Sequence, residues 1–179
     1  MSKTVKIGIN GFGRIGRLVA RIASKDPKVE LVAINDPFMD AEYGAYMFKY
    51  DTMHKEYDGK VCGSGDTLII DGKKIKFISE KEPVNICWDK YGADIVIEAS
   101  GKFTAKDGAS QHILGGAKKV LVTAPGKEMP TIVVGVNDKN LTKEMQIVSN
   151  ASCTTNCLAP IVKVLDDNFG IEEGLMSTI

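Results

Sequence analysis

Alternating apolar residues near the start of the chain predict a β-strand. Val5, Ile7 and Ile9 alternate with polar or small residues, which is the period-two pattern of a strand with one buried face. A glycine-rich segment, residues 11–16, then leads into a helical pattern that runs to about residue 24. A second apolar run, residues 30–34, predicts the next strand. The opening of the chain therefore predicts a strand–helix–strand unit.

The rest of the chain continues this alternation. Residues 41–50 predict a short, aromatic-rich helix, and residues 60–78 predict short antiparallel strands. Residues 94–99 form an apolar run with acidic ends, typical of a buried parallel strand, and residues 105–114 predict a helix. Further strands are predicted at residues 120–122, 132–134 and 147–148. This order predicts an α/β fold with a doubly wound, mostly parallel Rossmann-type sheet, whose ligand crevice lies at the carboxyl ends of the strands.

Gly11, Gly13 and Gly16 form a G-x-G-x-x-G motif between the first strand and the first helix. Glycine permits the tight turn and lets backbone amides approach a pyrophosphate at the helix N-terminus. Asp36 follows the second strand, 20 residues after Gly16, near the spacing at which a carboxylate contacts the adenosine ribose. Because a carboxylate repels a 2′-phosphate, Asp36 favours NAD over NADP. The alternative is a glycine-rich turn that binds no ligand.

A second motif spans residues 149–157, with the sequence Ser-Asn-Ala-Ser-Cys-Thr-Thr-Asn-Cys. It joins an apolar run to an amphipathic helical pattern, and so places Cys153 in the first turn of a predicted helix. A thiol there experiences the positive end of the helix dipole and unpaired backbone N–H groups, which favour the nucleophilic thiolate. Cys153 is therefore a candidate for covalent catalysis. The alternative is a buried structural cysteine.

Composition narrows the classes of function. The 179 residues include 23 basic and 23 acidic side chains, and this balance gives no support for attraction to nucleic acid or to a membrane surface. No apolar run approaches the length of a membrane span, and the first strand follows Met1 too closely for a signal peptide. The four cysteines include no CxxC pair and have no histidine cluster nearby. We therefore expect no metal site and a reducing, cytoplasmic setting.

Taken together, the motifs resemble those of phosphorylating glyceraldehyde-3-phosphate dehydrogenases. The resemblance covers the whole chain and is carried by residues 10–16, 35–37, 49–51, 115–120 and, above all, 149–160. It implies NAD as cofactor, glyceraldehyde 3-phosphate and inorganic phosphate as substrates, and a homotetramer acting in glycolysis. It also implies that Cys153 attacks the aldehyde to form a hemithioacetal, that hydride passes to NAD, and that phosphate cleaves the resulting thioester to 1,3-bisphosphoglycerate.

The resemblance assigns individual site residues as well. Contacts to substrate or phosphate fall to Ser152, Cys153 and Thr154. The implied cofactor site comprises Gly11, Gly13, Arg14, Ile15, Gly16, Asp36, Lys81 and Thr123. Lys81 stands where relatives often carry arginine, and Lys102 and Gly126 stand where an apolar residue and a serine are common. The pattern around the nicotinamide therefore departs in part from that of the family.

The same resemblance divides the chain in two. Residues 1–151 correspond to an NAD-binding Rossmann domain, and residues 152–179 to the first helix and strand of a truncated α+β catalytic domain, with that strand at residues 175–179. The family's catalytic histidine follows this strand, so we expect the 179 residues to be inactive alone. We interpret His54 and His112 as surface or locally bonded histidines that do not replace it.

Two further interpretations stay open at this point. The chain could be a non-catalytic NAD-binding or interaction module derived from the same enzyme. It could also be another aldehyde-handling enzyme, such as a semialdehyde dehydrogenase, which residues 150–156 disfavour. The helix after Cys153 carries a wide apolar stripe, and we expect Cys157 to be shielded on it. We expect the other residues of the stripe to face water in an isolated chain: Leu158, Ile161, Val162, Val164, Leu165 and Phe169.

Overall fold

An eight-stranded sheet forms the centre of the computed structural model, which describes residues 4–178. The strands are β1 (Val5–Asn10), β2 (Val29–Asn35), β3 (Val61–Ser64), β4 (Thr67–Ile70), β5 (Lys73–Ile78), β6 (Ile95–Glu98), β7 (Lys119–Val122) and β8 (Ile147–Ser149). The helices are α1 (Arg14–Lys25), α2 (Ala41–Lys49), α3 (Lys106–Leu114) and α4 (Cys153–Phe169). None of the helices within residues 4–178 is long and apolar enough to cross a membrane.

The strand order is β3-β4-β5-β2-β1-β6-β7-β8. β1 pairs in parallel with both β2 and β6, and the parallel pairing continues through β7 to β8. β3, β4 and β5 pair antiparallel with one another, and β5 joins β2 in parallel. The chain thus builds outward from β1 in both directions, which creates a ligand crevice between β1 and β6. The predicted doubly wound, mostly parallel sheet is confirmed.

Apolar side chains on the sheet fill the core. Ile9, Phe12 and Ile34 are fully buried in one cluster, which continues under α1 and α2. Trp88 lies in a second cluster, and it packs so closely on β1 that only a residue without a side chain fits at Gly8. Each large apolar side chain buried in this way contributes about 1.5–3 kcal/mol. The core therefore anchors the strands whose carboxyl ends carry the site.

The prediction of a strand at residues 132–134 is wrong. The chain makes only an isolated bridge just before this segment, between Thr131 and Ser149, and then turns away from the sheet. The backbone N–H of Val133 donates to Oδ1 of Asn137 at 2.7 Å, and Gly135 adopts a φ of +82°. A side-chain amide thus takes the hydrogen bond that a strand ladder would need.

The predicted strand at residues 175–179 does not form over its described part. Residues 175–178 are irregular and exposed, and residue 179 lies outside the described residues. A strand is stable only when it pairs with a neighbour, and no described strand lies beside this segment. The boundary between residues 151 and 152 remains a prediction.

The helix before that segment, α4, is capped but uncovered. Oγ of Ser152 accepts a hydrogen bond from the backbone N–H of Thr155 at 3.0 Å, and the helix ends at Phe169, before Gly170, whose φ is +73°. No residue of α4 is buried. The predicted exposure of its apolar stripe is therefore confirmed. The expectation that Cys157 is shielded is wrong, because a helix face shields its side chains only where another surface packs on it.

Candidate functional site

The glycine-rich turn after β1 has the shape of a dinucleotide-binding turn. Gly11 has a φ of +91°, and a Cβ there would lie 2.6 Å from the Cα of Ser100. A Cβ at Gly16 would overlap the carbonyl oxygen of Gly11, so α1 begins tightly against the turn. A Cβ at Gly13, in contrast, would meet no atom within 4 Å. This open space beside a helix N-terminus is where a pyrophosphate can approach the backbone.

Asp36 holds this turn from the end of β2. The backbone N–H of Phe12 donates to its Oδ2 at 2.8 Å, and that of Phe38 donates to its Oδ1 at 2.9 Å. The backbone N–H of Gly11 donates to the carbonyl oxygen of Asn35 at 2.8 Å. Because a carboxylate oxygen has two lone pairs, Asp36 can accept further hydrogen bonds from ribose hydroxyls. The carboxylate thus fits both a structural and a ligand-binding role.

A cavity of about 300 Å³ opens at the carboxyl ends of β1, β2 and β6. Four of the predicted cofactor residues line it: Gly11, Gly13, Asp36 and Lys81. The other lining residues are Asn10, Asn35, Pro37, Phe38, Glu80, Glu82, Ala99, Ser100, Lys102 and Phe103. The volume is that of a small-molecule pocket, and its walls combine apolar rings with a few convergent polar groups. The residues present therefore fit the adenosine part of NAD.

Three other predicted cofactor residues lie at the same end of the sheet but do not line this cavity. Arg14, in the first turn of α1, is exposed, and its guanidinium donates to Oδ2 of Asp51 at 3.1 Å. Ile15 follows it and is also exposed. Thr123, just after β7, donates from Oγ1 to the carbonyl oxygen of Glu98 at 3.0 Å. Their roles in cofactor binding stay predictions.

The Asp51 carboxylate is part of a small charged cluster beside the first turn of α1. The backbone N–H groups of His54 and Met53 both donate to its Oδ1, and the His54 ring lies 3.2 Å away. These hydrogen bonds, first among them the one from the His54 backbone, and the Arg14 guanidinium hold the pKa of Asp51 well below its ordinary value. His54 is thus a locally bonded histidine, as predicted.

Cys153 is the first residue of α4, and its thiol is free and exposed. Oγ of Ser152 lies 2.9 Å from Oγ1 of Thr154 and 2.7 Å from Oγ1 of Thr155, so hydroxyl groups surround the helix start. Nδ2 of Asn156 donates to the carbonyl oxygen of Ser152 at 2.8 Å. The three predicted substrate residues, 152–154, therefore lie together at a helix N-terminus, a position suited to a nucleophilic thiol and to anions.

The backbone that delivers Cys153 is tightly fixed. Ala151 is buried and has a φ of +67°, a conformation that is costly for a residue with a side chain. Oγ of Ser149 accepts from the backbone N–H of Ala151 at 2.9 Å and donates to the carbonyl oxygen of Ala124 at 2.6 Å. The end of β8 is thus tied to the loop after β7, and the chain turns sharply into α4.

The cavity and Cys153 lie at the same edge of the sheet. β1, β6, β7 and β8 are parallel, so their carboxyl ends point the same way. The backbone N–H of Asn150 donates to the carbonyl oxygen of Val122 at 3.0 Å, and Cys153 follows Ser149, the last residue of β8, by four positions. This is the edge at which ligands bind in open α/β sheets.

A buried polar network lies beneath the cavity, and the sequence did not predict it. Nδ2 of Asn10 donates to Oε2 of Glu98 at 2.6 Å, and Nδ2 of Asn35 donates to Oδ1 of Asn10 at 2.8 Å. Nε2 of His112 lies 2.8 Å from Oε2 of Glu98, and Nε1 of Trp88 donates to Nδ1 of His112 at 3.0 Å. The interpretation of His112 as a surface or locally bonded residue is wrong, because it is fully buried and bonded to distant parts of the chain. Polar residues at the ends of apolar strands were the available signal.

Within residues 4–178, no group of three or more histidine, cysteine or acidic side chains is arranged to hold a metal ion.

Comparisons with known proteins agree with this geometry. The family model for the NAD binding domain of glyceraldehyde 3-phosphate dehydrogenase matches residues 5–106, and the model for the C-terminal domain of the same enzyme matches residues 152–179. The first match includes the glycine turn and every residue that lines the cavity. The second match begins at the cap of α4.

Curated relatives carry the same name. The chain is 58% identical to the glyceraldehyde-3-phosphate dehydrogenase of Debaryomyces hansenii over 175 residues, which is 98% of this chain and 52% of the relative. It is 57% identical to that of Yarrowia lipolytica, with 98% and 52% covered, and 58% identical to glyceraldehyde-3-phosphate dehydrogenase 1 of Candida glabrata, with 98% and 53% covered. The chain thus spans about half the length of these relatives. On this evidence the chain belongs to the glyceraldehyde-3-phosphate dehydrogenase family.

Proposed function

We propose that the chain supplies the NAD site and the nucleophilic cysteine of a phosphorylating glyceraldehyde-3-phosphate dehydrogenase that acts in glycolysis. The observation that carries the proposal is the exposed Cys153 at the first turn of α4, at the sheet edge that also holds the glycine turn. A nucleophile and a dinucleotide site on one edge are what an aldehyde oxidation through a covalent intermediate needs.

The cofactor half of the site follows from the turn and Asp36. NAD, when bound, supplies the acceptor for the hydride that leaves the substrate. The open space at Gly13 admits the pyrophosphate to the amides at the start of α1. The Asp36 carboxylate accepts hydrogen bonds from the ribose hydroxyls and repels the 2′-phosphate of NADP. The ring of Phe103 supplies an apolar wall.

The chemical half of the site follows from Cys153. Its Sγ forms a bond to the aldehyde carbon of glyceraldehyde 3-phosphate, and the carbonyl oxygen takes up a proton, which gives a hemithioacetal. Removal of hydride and of that proton leaves a thioester. Inorganic phosphate then adds to the thioester carbonyl and the Cys153 thiolate leaves, so that the acyl phosphate 1,3-bisphosphoglycerate forms. The amides at the start of α4 stabilise the thiolate, and Ser152 and Thr154 contact the substrate or the phosphate.

The two histidines of the chain do not serve as the base for Cys153. His112 is buried with hydrogen bonds at both ring nitrogens, and His54 lies beside Asp51, near the first turn of α1. We propose that the base comes from outside the 179 residues and that the chain alone is a poor catalyst. A positioned acid–base group contributes about 10²–10⁴-fold to rate. The free cysteines support a cytoplasmic setting, and we propose the homotetramer that the family resemblance implies.

The test uses the purified 179-residue chain. We expect NAD to bind in calorimetry, and glyceraldehyde 3-phosphate with NAD to give a covalent adduct on Cys153 that mass spectrometry detects. Cys153→Ser removes the adduct, whereas Cys62→Ser, at another exposed cysteine, keeps it. Adducts that persist in Cys153→Ser would refute the assignment of the nucleophile. NAD binding without any adduct would favour the alternative, a non-catalytic NAD-binding or interaction module.

A further inference from the structure

The hydrogen bonds of His112 determine its protonation. The indole N–H of Trp88 can only donate, so Nδ1 of His112, 3.0 Å away, must accept and carries no proton. The ring is therefore neutral, with its single proton on Nε2, which donates to Oε2 of Glu98 at 2.8 Å. The tautomer of this buried histidine is thus fixed by a tryptophan on one side and a carboxylate on the other.

The partners of Glu98 are those that an ionised carboxylate requires. Nδ2 of Asn10, Nε2 of His112, and both the backbone N–H and the hydroxyl of Ser100 all donate to its two carboxylate oxygens. Four donors match the lone-pair sites of an ionised carboxylate, and the group is fully buried. Charge-assisted hydrogen bonds of this kind are stronger than those between neutral groups.

The same carboxylate fixes the walls of the NAD cavity. Asn10 and Ser100 both line the cavity, one at the end of β1 and the other just after β6. The two segments are in direct backbone contact, because only the absence of a side chain at Gly11 lets it lie against Ser100. A shift of Ser100 would therefore displace the glycine turn. Asn10 also accepts the hydrogen bond from Asn35, and so extends the support to the end of β2.

We propose that Glu98 and His112 are positioning residues for NAD, an inference that rests on the proposed function of the cavity. His112 orients the Glu98 carboxylate from α3, and Glu98 holds the turns after β1 and β6 at the separation that the dinucleotide requires. Neither residue lines the cavity and both are fully buried, so they act on the cofactor through other residues. Trp88 sets the histidine tautomer from the far side.

Two substitutions of His112 separate positioning from packing. In His112→Gln the longer side chain places an N–H where Nε2 stood, which retains the donor to Glu98. In His112→Asn the shorter side chain places an oxygen where Nδ1 stood, which retains only the acceptor for Trp88. Both remove a buried ring of the same size. Trp88 is the single tryptophan of the chain, so its fluorescence shows which variant keeps the bond to the indole.

NAD affinity and thermal stability are measured by calorimetry for the 179-residue chain and each variant. We expect His112→Asn to weaken NAD binding roughly tenfold or more, while His112→Gln stays near the parent and both lose similar thermal stability. Glu98→Gln, which turns an amide NH₂ toward groups that donate, should weaken binding at least as much as His112→Asn. Glu30→Gln, on the exposed face at the opposite end of β2, is the matched control and leaves binding unchanged.

The outcomes separate this inference from the proposed function. Failure of the parent chain to bind NAD would overturn both. Equal NAD affinity in the parent and in both His112 variants would leave the cofactor site standing and overturn the positioning role. Equal weakening in both variants would also overturn it, because a loss that follows stability alone indicates packing.

Discussion

Gly13→Ala separates folding from cofactor binding at one position. In the structure an added Cβ at Gly13 meets no atom within 4 Å, and the backbone there, with φ −68° and ψ −161°, is allowed for alanine. The substitution therefore meets no steric clash and reduces the entropy of the unfolded chain, but Gly13 is the N-cap of α1, where alanine is less favourable than glycine. We expect these opposing effects to leave the free energy of unfolding within about 1 kcal/mol of the parent value. For a chain of this size that keeps Tm within about 4 °C of the parent value.

The same methyl group occupies the space that the pyrophosphate needs. Gly13 lines the cavity at the start of α1, so the added carbon keeps the phosphate oxygens away from the backbone amides. We expect NAD affinity to fall at least about tenfold, or 1.4 kcal/mol. Thermal denaturation without ligand and isothermal calorimetry with NAD measure the two effects on the same protein.

Gly16→Ala is the matched control, because it adds the same methyl group three residues later. There the Cβ overlaps the carbonyl oxygen of Gly11, so we expect a loss of about 1–3 kcal/mol in folding stability, as for other overpacked sites. If Gly13→Ala binds NAD as tightly as the parent, the pyrophosphate does not pass over Gly13. A Gly13→Ala protein that loses as much stability as Gly16→Ala would show that the space is not open.

Four other predictions follow from the site. Asp36→Ala should weaken NAD binding and narrow the preference for NAD over NADP, since it removes both the acceptor for the ribose hydroxyls and the repulsion of the 2′-phosphate. An unchanged ratio of the NAD and NADP affinities in calorimetry would contradict this. Cys153 should react before the three other cysteines in competitive alkylation followed by peptide mass spectrometry, because it alone lies at the start of a long helix; faster labelling of Cys157, which is also exposed, would reverse the assignment. Asp51→Asn should lower Tm at pH 7, because a carboxyl group whose pKa is lowered by folding stabilises the native state above its unfolded pKa of about 3.9. That stabilisation is lost as the pH falls through the pKa that Asp51 has in the folded state. The Tm difference between parent and variant should therefore narrow below about pH 4. A difference that widens in acid would refute this prediction. Amides of residues 154–169 should exchange with deuterium faster than those of β1 and β6, because α4 buries none of its side chains; equal protection would mean that another surface covers the helix in solution.

Local signals were enough to predict much of the fold and the two halves of the site. The period of the apolar residues identifies β1, α1 and β2, because each buries one face against the same core. The glycine spacing and Asp36 predict the turn, since both act over short stretches of chain. The hydroxyl and amide residues around Cys153 predict the start of α4, which the Ser152 cap confirms.

Most of the features that could not be predicted depend on contacts between distant residues. His112 is bonded to Glu98 and Trp88, 14 and 24 positions away, and nothing in its own helix reveals either partner. The segment 132–134 reads as a strand, but a side-chain amide at Asn137 competes for its backbone. Cys157 lies on an apolar stripe, yet burial also requires a second surface. For His112 and Cys157 the deciding energy comes from tertiary structure, whereas residues 132–134 are redirected by a local side-chain hydrogen bond.

The left-handed conformation of Ala151 sets the path of the main chain into α4, which begins at Cys153. Placing alanine in that region costs about 1–2 kcal/mol relative to glycine. Glycine there would avoid that strain, but it would lose about 0.4–1 kcal/mol of stability because it raises the entropy of the unfolded chain. The net difference between the two residues is therefore smaller than the strain alone. They differ in stiffness, because the buried methyl group of Ala151 leaves the backbone few other orientations. The turn at Ala151 therefore sets the direction in which the main chain enters α4, and with it the position of Cys153 at the start of that helix.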